Sequence, residues 1–327
     1  MYECDRSNMW RLIQAFPEMC QEAFSSSSGL APTEVVGVVV AGMGGSAIAG
    51  DVVKEWLNPP FPFEVCRGYH LPRWVSRDTL LILISYSGET EETLNCAREG
   101  EAVGAKIVGI GSGGSLAHLL GDRPFLRVPP GLPPRSAFPY LFFSLVRVMK
   151  DTGLVPPQLE GEISESLRLL PRVRERAEEA KGVAVRLLNK MAFIYAPPGL
   201  TSVAFRLKTQ LNENSKMPAK VEFLPELCHN EIVGIRDVPP NVCFVLLRSP
   251  KEEERISLRI DFLKSLVEGR DIIELRGEGE GRLAEMLSLI YFGDIVSYHL
   301  AGLRGVDPTP VEEITQLKKV LSTKPYP

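Results

Sequence analysis

The run Val35-Val36-Gly37-Val38-Val39-Val40-Ala41, followed by Gly42-Met43-Gly44-Gly45-Ser46, decides how this chain is read. The apolar residues are continuous rather than alternating. A strand with one wet face would show polar residues at every second position, so this pattern predicts a strand covered on both faces of a parallel sheet. Small residues then make a turn, and Ala47–Leu57 reads as a helix. In open α/β sheets such a strand–turn–helix corner is where ligands sit. Glycines let the backbone approach a ligand closely, and the free amides of a helix start favour an anion. Gly42, Gly44 and Ala47 also satisfy the tolerant form of the dinucleotide fingerprint. That motif wants an acid at the end of the next strand, and Phe63–Tyr69 runs instead into Gly68-Tyr69-His70. A phosphate loop and a dinucleotide loop both remain open on this stretch alone.

A second corner of the same kind lies downstream. Thr79–Ser85 is another unbroken apolar strand, and it leads into Ser85-Tyr86-Ser87-Gly88-Glu89-Thr90 and a helix over Glu89–Glu101. Ser87 or Thr90 can serve as the helix cap, a role compatible with holding a phosphate. Glu89 opposes an anion unless its side chain points away. The alternation continues with a strand at Lys106–Ile110, a short helix at Ser115–Leu120, a strand at Phe125–Val128 and an apolar helix at Ala137–Asp151. Upstream, Ser7–Phe24 reads as a helix bent near Pro17, joined by the Ser25–Gly29 connector.

The stretch Thr152–Glu162 carries Gly153, Pro156, Pro157 and Gly161 and reads as a linker. Beyond it Glu162–Lys190 is helical, with an expected break at Pro171. Strands follow at Met191–Ala196, Val221–Leu224, Val242–Arg248 and Asp271–Leu275, with helices at Thr201–Lys216, Glu252–Leu266, Arg282–Leu303 and Val311–Leu321. Two successive blocks of alternating strands and helices imply an α/β chain of two doubly wound parallel-sheet subdomains, each a three-layer α/β/α sandwich. The expected division is 1–152 and 153–327.

Composition narrows the class of function. The 327 residues carry 24% charged and 44% hydrophobic side chains and a net charge of −4. That is ordinary globular composition, without the basic field that would attract nucleic acid or anionic lipid. An anionic substrate must therefore be held by a local site. The six cysteines form no C-x-x-C pair and sit at no zinc-ligand spacing, and the four histidines are not paired either. A reducing, cytoplasmic setting and a metal-free, cofactor-free chemistry are the expectations. The two acids among Met1–Asp5 argue against a secretory signal, and no stretch is expected to approach the length of a membrane span.

The reactive residues come late. Asn212-Glu213-Asn214-Ser215-Lys216 offers a carboxylate, and Leu227-Cys228-His229-Asn230 offers an imidazole. A lone Glu in a charged helix is commonly a surface residue. Here it is flanked by two Asn, poor helix formers that orient neighbouring groups. With two hydroxyl loops upstream, a Glu and a His suggest proton transfer on a phosphorylated molecule.

At this point a resemblance becomes specific. The series Ser85-Tyr86-Ser87-Gly88-Glu89-Thr90-Glu91-Glu92-Thr93, with the Gly44-Gly45-Ser46 loop, resembles the sugar isomerase (SIS) family of phosphosugar-binding domains. Asn212-Glu213-Asn214, the stretch from Leu224-Pro225-Glu226 to His229-Asn230, and Arg304-Gly305-Val306-Asp307-Pro308 resemble the bifunctional phosphoglucose/phosphomannose isomerases of archaea and some bacteria. The similarity runs from about residue 35 to 321. It implies interconversion of glucose 6-phosphate or mannose 6-phosphate with fructose 6-phosphate, by a homodimer with sites near the subunit boundary. It further implies that Ser46, Ser85, Ser87 and Thr90, with Gly45 in the same loop, hold the phosphate, and that Glu213 is the base. By the same resemblance, His229 opens the sugar ring and comes from the partner subunit. Lys318 and Arg135 join the catalytic set, and Thr309 bears on the mannose epimer. The Pro133-Pro134 pair fixes the approach of Arg135. Residues 1–34 match no motif, and Cys228 beside His229 has no assigned role. The rivals are another SIS phosphosugar isomerase and a non-catalytic sugar-phosphate sensor. Sensors of this kind usually carry a helix-turn-helix segment, for which residues 1–34 are too short and too acidic.

Overall fold

A computed structural model describes residues 1–324, so the last three positions of the expected second subdomain, 325–327, lie outside the described residues. The first sheet holds β1 (Gly37–Ala41), β2 (Phe63–Cys66), β3 (Thr79–Ile84), β4 (Lys106–Gly111) and β5 (Phe125–Arg127), all parallel, in the order β2-β1-β3-β4-β5. The second holds β6 (Met191–Ala196), β7 (Ala219–Phe223), β8 (Val242–Arg248) and β9 (Asp271–Arg276), also parallel, in the order β7-β6-β8-β9. In both, the first strand of the block sits inside the sheet and the chain winds outward in two directions. The order reverses between β1 and β3, and between β6 and β8.

The continuous apolar runs do what their pattern demands. Successive side chains of a strand face opposite ways, so Val38 and Val40 pack with Leu80 and Ile82 under helices Gly44–Leu57 and Phe138–Asp151. Val39 and Ala41 pack with Leu81 and Leu83 under Glu91–Ala102 and Gly114–Leu120. In the second sheet Ala192, Ile194, Val245 and Leu247 face the same large core as the first sheet, which includes helix Arg282–Leu303. Phe193, Tyr195, Phe244 and Leu246 face Ile256, Ile260 and Leu263 of helix Glu254–Leu266. The two sheets therefore share one continuous apolar core.

Two expectations need correction. Pro171 does not break the helical stretch: it lies inside helix Glu160–Glu175, and the interruption falls at Arg176 before helix Ala177–Leu187. A helix-interior proline costs about 3 kcal/mol, but Ile163, Leu170 and Val173 are buried on either side of it, and that packing holds the helix through the proline. Arg176 stacks on the Phe292 ring 4.5 Å from its centroid and pairs with Glu179 and Glu278, which anchors the interruption. The bend expected near Pro17 is present, at Ala15, and Pro17 sits in the opening turn of helix Phe16–Ser25, where its missing N–H costs nothing. Finally, helix Arg282–Leu303 spans 22 residues and is long and apolar enough to cross a bilayer, contrary to the expectation that no stretch approaches that length. Its apolar length serves the core instead, with 89% of the critical window buried inside the protein.

The halves are joined by carboxylates set on helix starts. Glu55, on helix Gly44–Leu57, accepts from Thr201 N (2.9 Å), Thr201 Oγ1 (2.8 Å), Ser202 N (2.9 Å) and Ser202 Oγ (2.5 Å). It thereby caps helix Thr201–Glu213 from the other subdomain. Glu162 similarly accepts from Leu283 N and from the Trp56 indole. Charged capping bonds are among the stronger ones. Glu55→Ala is expected to cost about 2 kcal/mol, read as a lower denaturant midpoint, with Glu55→Gln losing less. An unchanged midpoint would refute the cap's contribution.

Candidate active site

The two small-residue loops meet where the strand order reverses. A methyl group on Gly42 would lie 2.7 Å from the Ile84 carbonyl oxygen and 3.1 Å from Ser46 Cβ. The end of β1 can approach the end of β3 this closely only because residue 42 has no side chain. Ser46, largely buried, sits in the first turn of the helix that follows. In the second loop the Ser85 hydroxyl bonds the Thr90 hydroxyl at 2.9 Å and accepts from Gly88 N at 3.1 Å. Gly88 has φ +75°, and a methyl there would come within 2.0 Å of the Gly113 oxygen. Thr90 flanks the helix start, but its side chain makes no capping bond, while Ser87 Oγ accepts from Glu89 N at 3.2 Å. Glu89 turns to Ser115, accepting from its amide at 2.8 Å and its hydroxyl at 2.7 Å. Its charge is thus spent on the start of the neighbouring helix, away from the Ser85–Thr90 hydroxyls.

Arg135 is set beside these loops by the turn Pro134–Ala137. A methyl on Gly45 would lie 3.8 Å from both Arg135 Cα and the Pro134 oxygen. The Tyr86 hydroxyl accepts from Leu132 N at 2.7 Å and donates to the Pro129 oxygen at 3.0 Å, so the second loop also holds the segment leading to Arg135. The Arg135 side chain is 3% exposed. Its Nε donates to Asn214 Oδ1 at 2.6 Å, and its Nη2 to the carbonyls of Pro308 and, at 3.0 Å, Thr309. Its Nη1 lies 3.6 Å from Glu213 Oε2. Burial pulls the guanidinium below its ordinary pKa, and the Glu213 and Asp294 charges pull it back.

Glu213 is the last residue of helix Thr201–Glu213, and its side chain is 29% exposed beside the buried arginine. The flanking asparagines orient what surrounds it. Asn214 passes its Oδ1 to Arg135 and donates its Nδ2 to Ser297 Oγ at 2.9 Å. Arg135 can only donate, so the amide has one workable orientation. Asn212 donates to the Met217 oxygen at 2.7 Å. Lys216, at φ +53°, donates to the Glu213 and Pro310 carbonyls and ties the helix end to the 308–310 segment. Burial, and then the Arg135 charge, lower its pKa. Beneath the group, Arg206 donates to Asp294 at 2.5 Å and to the Arg135 carbonyl at 3.4 Å.

Gly45, Ser46, Ser85, Ser87, Thr90, Arg135, Glu213 and Thr309 thus occupy one neighbourhood at the strand ends of the first sheet and the end of helix Thr201–Glu213. Thr309 contributes its carbonyl, and its own buried hydroxyl has no hydrogen-bond partner among the described residues. His229 and Lys318 are placed differently. His229 is exposed at the end of the turn Glu226–His229, and Lys318 is exposed on helix Glu312–Leu321. Among the described residues no hydrogen bond or ion pair joins either to the Arg135–Glu213 group. No group of three His, Cys, Asp or Glu among the described residues is placed to hold a metal. Sequence reading gave no role to Tyr86, Lys216, Ser297, Arg206 or Asp294. Only the last had a visible signal, as an acid inside an apolar helix.

A cleft of about 1140 Å³ opens elsewhere, at the opposite end of helix Thr201–Glu213 among Lys54, Phe205, Lys251 and Arg282. It flanks the corresponding corner of the second sheet, where the helix-start amides are already satisfied by Glu55. None of the residues predicted from the sequence to bind or react lines it.

Comparison with known proteins shows the family. Residues 176–321 match the bacterial phospho-glucose isomerase C-terminal SIS domain. The chain is 37% identical, over 96% of its length and 99% of the relative's, to a bifunctional phosphoglucose/phosphomannose isomerase of Caldicellulosiruptor bescii. It is 37% identical, over 87% of its length and 89% of the relative's, to the enzyme of that name from Thermoplasma acidophilum. In fold it is similar to the C-terminal domain of glucosamine-fructose-6-phosphate aminotransferase from Francisella tularensis, with TM-score 0.74, 16% identity, and 92% and 97% of the two chains covered. The chain belongs to the bifunctional phosphoglucose/phosphomannose isomerase family.

Proposed function

We propose that this chain interconverts glucose 6-phosphate or mannose 6-phosphate with fructose 6-phosphate through a cis-enediol(ate). The observation that carries the reading is the approach of the Glu213 carboxylate to within 3.6 Å of a buried arginine that abuts the Gly45 loop. The substrate phosphate is anchored by Ser46, Ser85, Ser87 and Thr90 with the loop amides, so that a hexose chain reaches towards Glu213. Glu213 takes the proton from one of the two carbons C1 and C2 and returns it to the other. Arg135 faces the negative charge that develops on the enediolate oxygen. Its 3.6 Å separation from Glu213 exceeds a good charged hydrogen bond, which leaves that donor available to substrate. His229, from the partner subunit, assists ring opening, with Lys318 nearby, and Thr309 bears on acceptance of the mannose epimer.

A homodimer suits the helix Glu312–Leu321. None of its residues is buried, and Ile314, Leu317, Val320 and Leu321 are all exposed. That is an amphipathic helix with its apolar stripe uncovered, and a second copy of this chain would cover it while bringing in Lys318 and His229. The cytoplasm is the proposed location.

The deciding experiment is a coupled assay with glucose 6-phosphate and mannose 6-phosphate, with and without a chelator. Turnover of both, undiminished by the chelator, is expected. No turnover of either would overturn the reading, and turnover of a different phosphosugar alone would favour another isomerase of the same fold. Ser87→Ala is expected to raise the Michaelis constant several-fold more than it lowers turnover, because it removes one phosphate ligand and no reacting group. An unchanged constant would place the phosphate elsewhere.

A further inference from the structure

The proposed isomerisation uses none of the six cysteines, yet two of them face each other. Cys66 closes β2, and Cys96 lies in the middle of helix Glu91–Ala102. Their sulfurs are 3.9 Å apart, at van der Waals contact. Among the described residues no other two cysteine sulfurs are in hydrogen-bond reach. The surrounding backbone crowds the pair with acceptors: Cys66 Sγ is 3.1 Å from the His70 oxygen, and Cys96 Sγ is 3.5 Å from the Gly68 oxygen. The loop that carries those carbonyls is laced to the same helix. Asn95 Nδ2 donates to the Tyr69 oxygen at 2.7 Å, Glu99 accepts from Leu71 N at 2.8 Å, and His70 Nδ1 meets Glu99 Oε1 at 2.7 Å. The two elements that carry the sulfurs are therefore held in place by bonds that do not involve sulfur.

The two thiols are inequivalent. Contact with Cys96 holds the Cys66 thiol down to about 6 against the opposing effect of burial, and the same contact together with burial pushes that of Cys96 up. Cys66 is also the more accessible, at 8% against 1%.

We propose that Cys66 and Cys96 form a reversible thiol–disulfide site, closed by small-molecule disulfides of the glutathione class. The Cys66 thiolate attacks one sulfur of the disulfide, forms a mixed disulfide and expels one small thiolate. Cys96 then loses its proton and attacks the Cys66 sulfur, expelling the second small thiolate. Two electrons pass from the cysteine pair to the small disulfide, which leaves as two thiols. The new bond ties the end of β2 to the helix that begins directly after Thr90. The inference stands independently of the reaction the chain catalyses.

The test uses the full-length, folded protein equilibrated in reduced and oxidised glutathione, quenched with acid, unfolded and titrated for free thiols. Titratable thiols should fall from six to four at the oxidised end, with one cross-linked peptide joining positions 66 and 96 and full recovery on adding a dithiol. Cys96→Ser should retain a single glutathione on Cys66, and Cys66→Ser should keep all its remaining thiols. Six thiols persisting at the oxidised end, or a cross-link that maps to other cysteines, would overturn the site. So would a Cys66→Ser chain that loses thiols as readily as the wild type.

Discussion

Glu213→Gln should lower the rate of isomerisation about a thousandfold, the middle of the range one general base contributes, while sugar-phosphate affinity stays within about threefold of wild type. The reasoning begins with geometry. Glutamine keeps the length and shape of the side chain but cannot take a proton from carbon. The neighbourhood has little cause to rearrange, because Arg135 does not depend on Glu213 for its position. It is fixed by Asn214 at 2.6 Å and by the carbonyls of Pro308 and Thr309, while Glu213 stands off at 3.6 Å. The hydroxyls of Ser85, Ser87 and Thr90 are held by bonds within their own loop. The loss should therefore fall on turnover, with binding of fructose 6-phosphate measured separately by calorimetry on the same preparation. A glutamine variant with turnover within tenfold of wild type would remove Glu213 as the base. A variant that lost binding and turnover together would instead show that the carboxylate helps to hold the substrate.

How much of this was legible in the residues varies with the distance over which each contact acts. The parallel sheets could be read because Val38–Ala41 and Leu80–Ile84 are buried on both faces, which writes an unbroken apolar run into a few adjacent positions. The loops could be read because their glycines and hydroxyls are contiguous. The setting of Arg135 could not be read. Its partners stand at positions 213, 214, 308 and 309, brought together only when the second subdomain folds against the first. Tyr86 looked like an incidental member of a serine-rich loop, and its role appears only when its hydroxyl reaches Leu132 and Pro129. Pro171 misled for the complementary reason: a local rule about backbone hydrogen bonds was outweighed by the burial of Leu170 and Val173 beside it. The Cys66–Cys96 pair was invisible too, since the cysteines read as scattered until β2 and helix Glu91–Ala102 lie side by side.

The largest effect on stability should come from Asp294. Asp294→Leu is expected to cost about 3–5 kcal/mol, the usual penalty for breaking a fully buried ion pair, against a total stability of roughly 5–15 kcal/mol for a protein domain. Arg206 is 1% exposed and its guanidinium lies 4.1 Å from the centroid of the Phe138 ring, with the Asp294 carboxylate at 2.5 Å. Removing the acid leaves a cation in the apolar core with no route to water. Burial raises the Asp294 pKa, and Arg206 opposes that rise. Because the folded value lies above the unfolded one, this group's contribution is greatest at pH below the unfolded value and diminishes as pH rises towards the folded one. The pair as a whole is therefore a weak source of net stability, and the cost of the single change is mostly the stranded charge. The double variant Arg206→Met, Asp294→Leu separates the two terms. It should recover most of the loss in denaturant unfolding, because two apolar side chains of similar volume can replace a buried pair at little cost. If the double variant were as unstable as Asp294→Leu alone, the pair itself would be holding the two subdomains' shared core together. Turnover supplies the second readout. Arg206 also donates to the Arg135 carbonyl at 3.4 Å, so a double variant restored in stability should still turn over more slowly than wild type, its Arg135 turn having lost a donor. Full recovery of both stability and turnover would show that the buried pair has no part in setting the site.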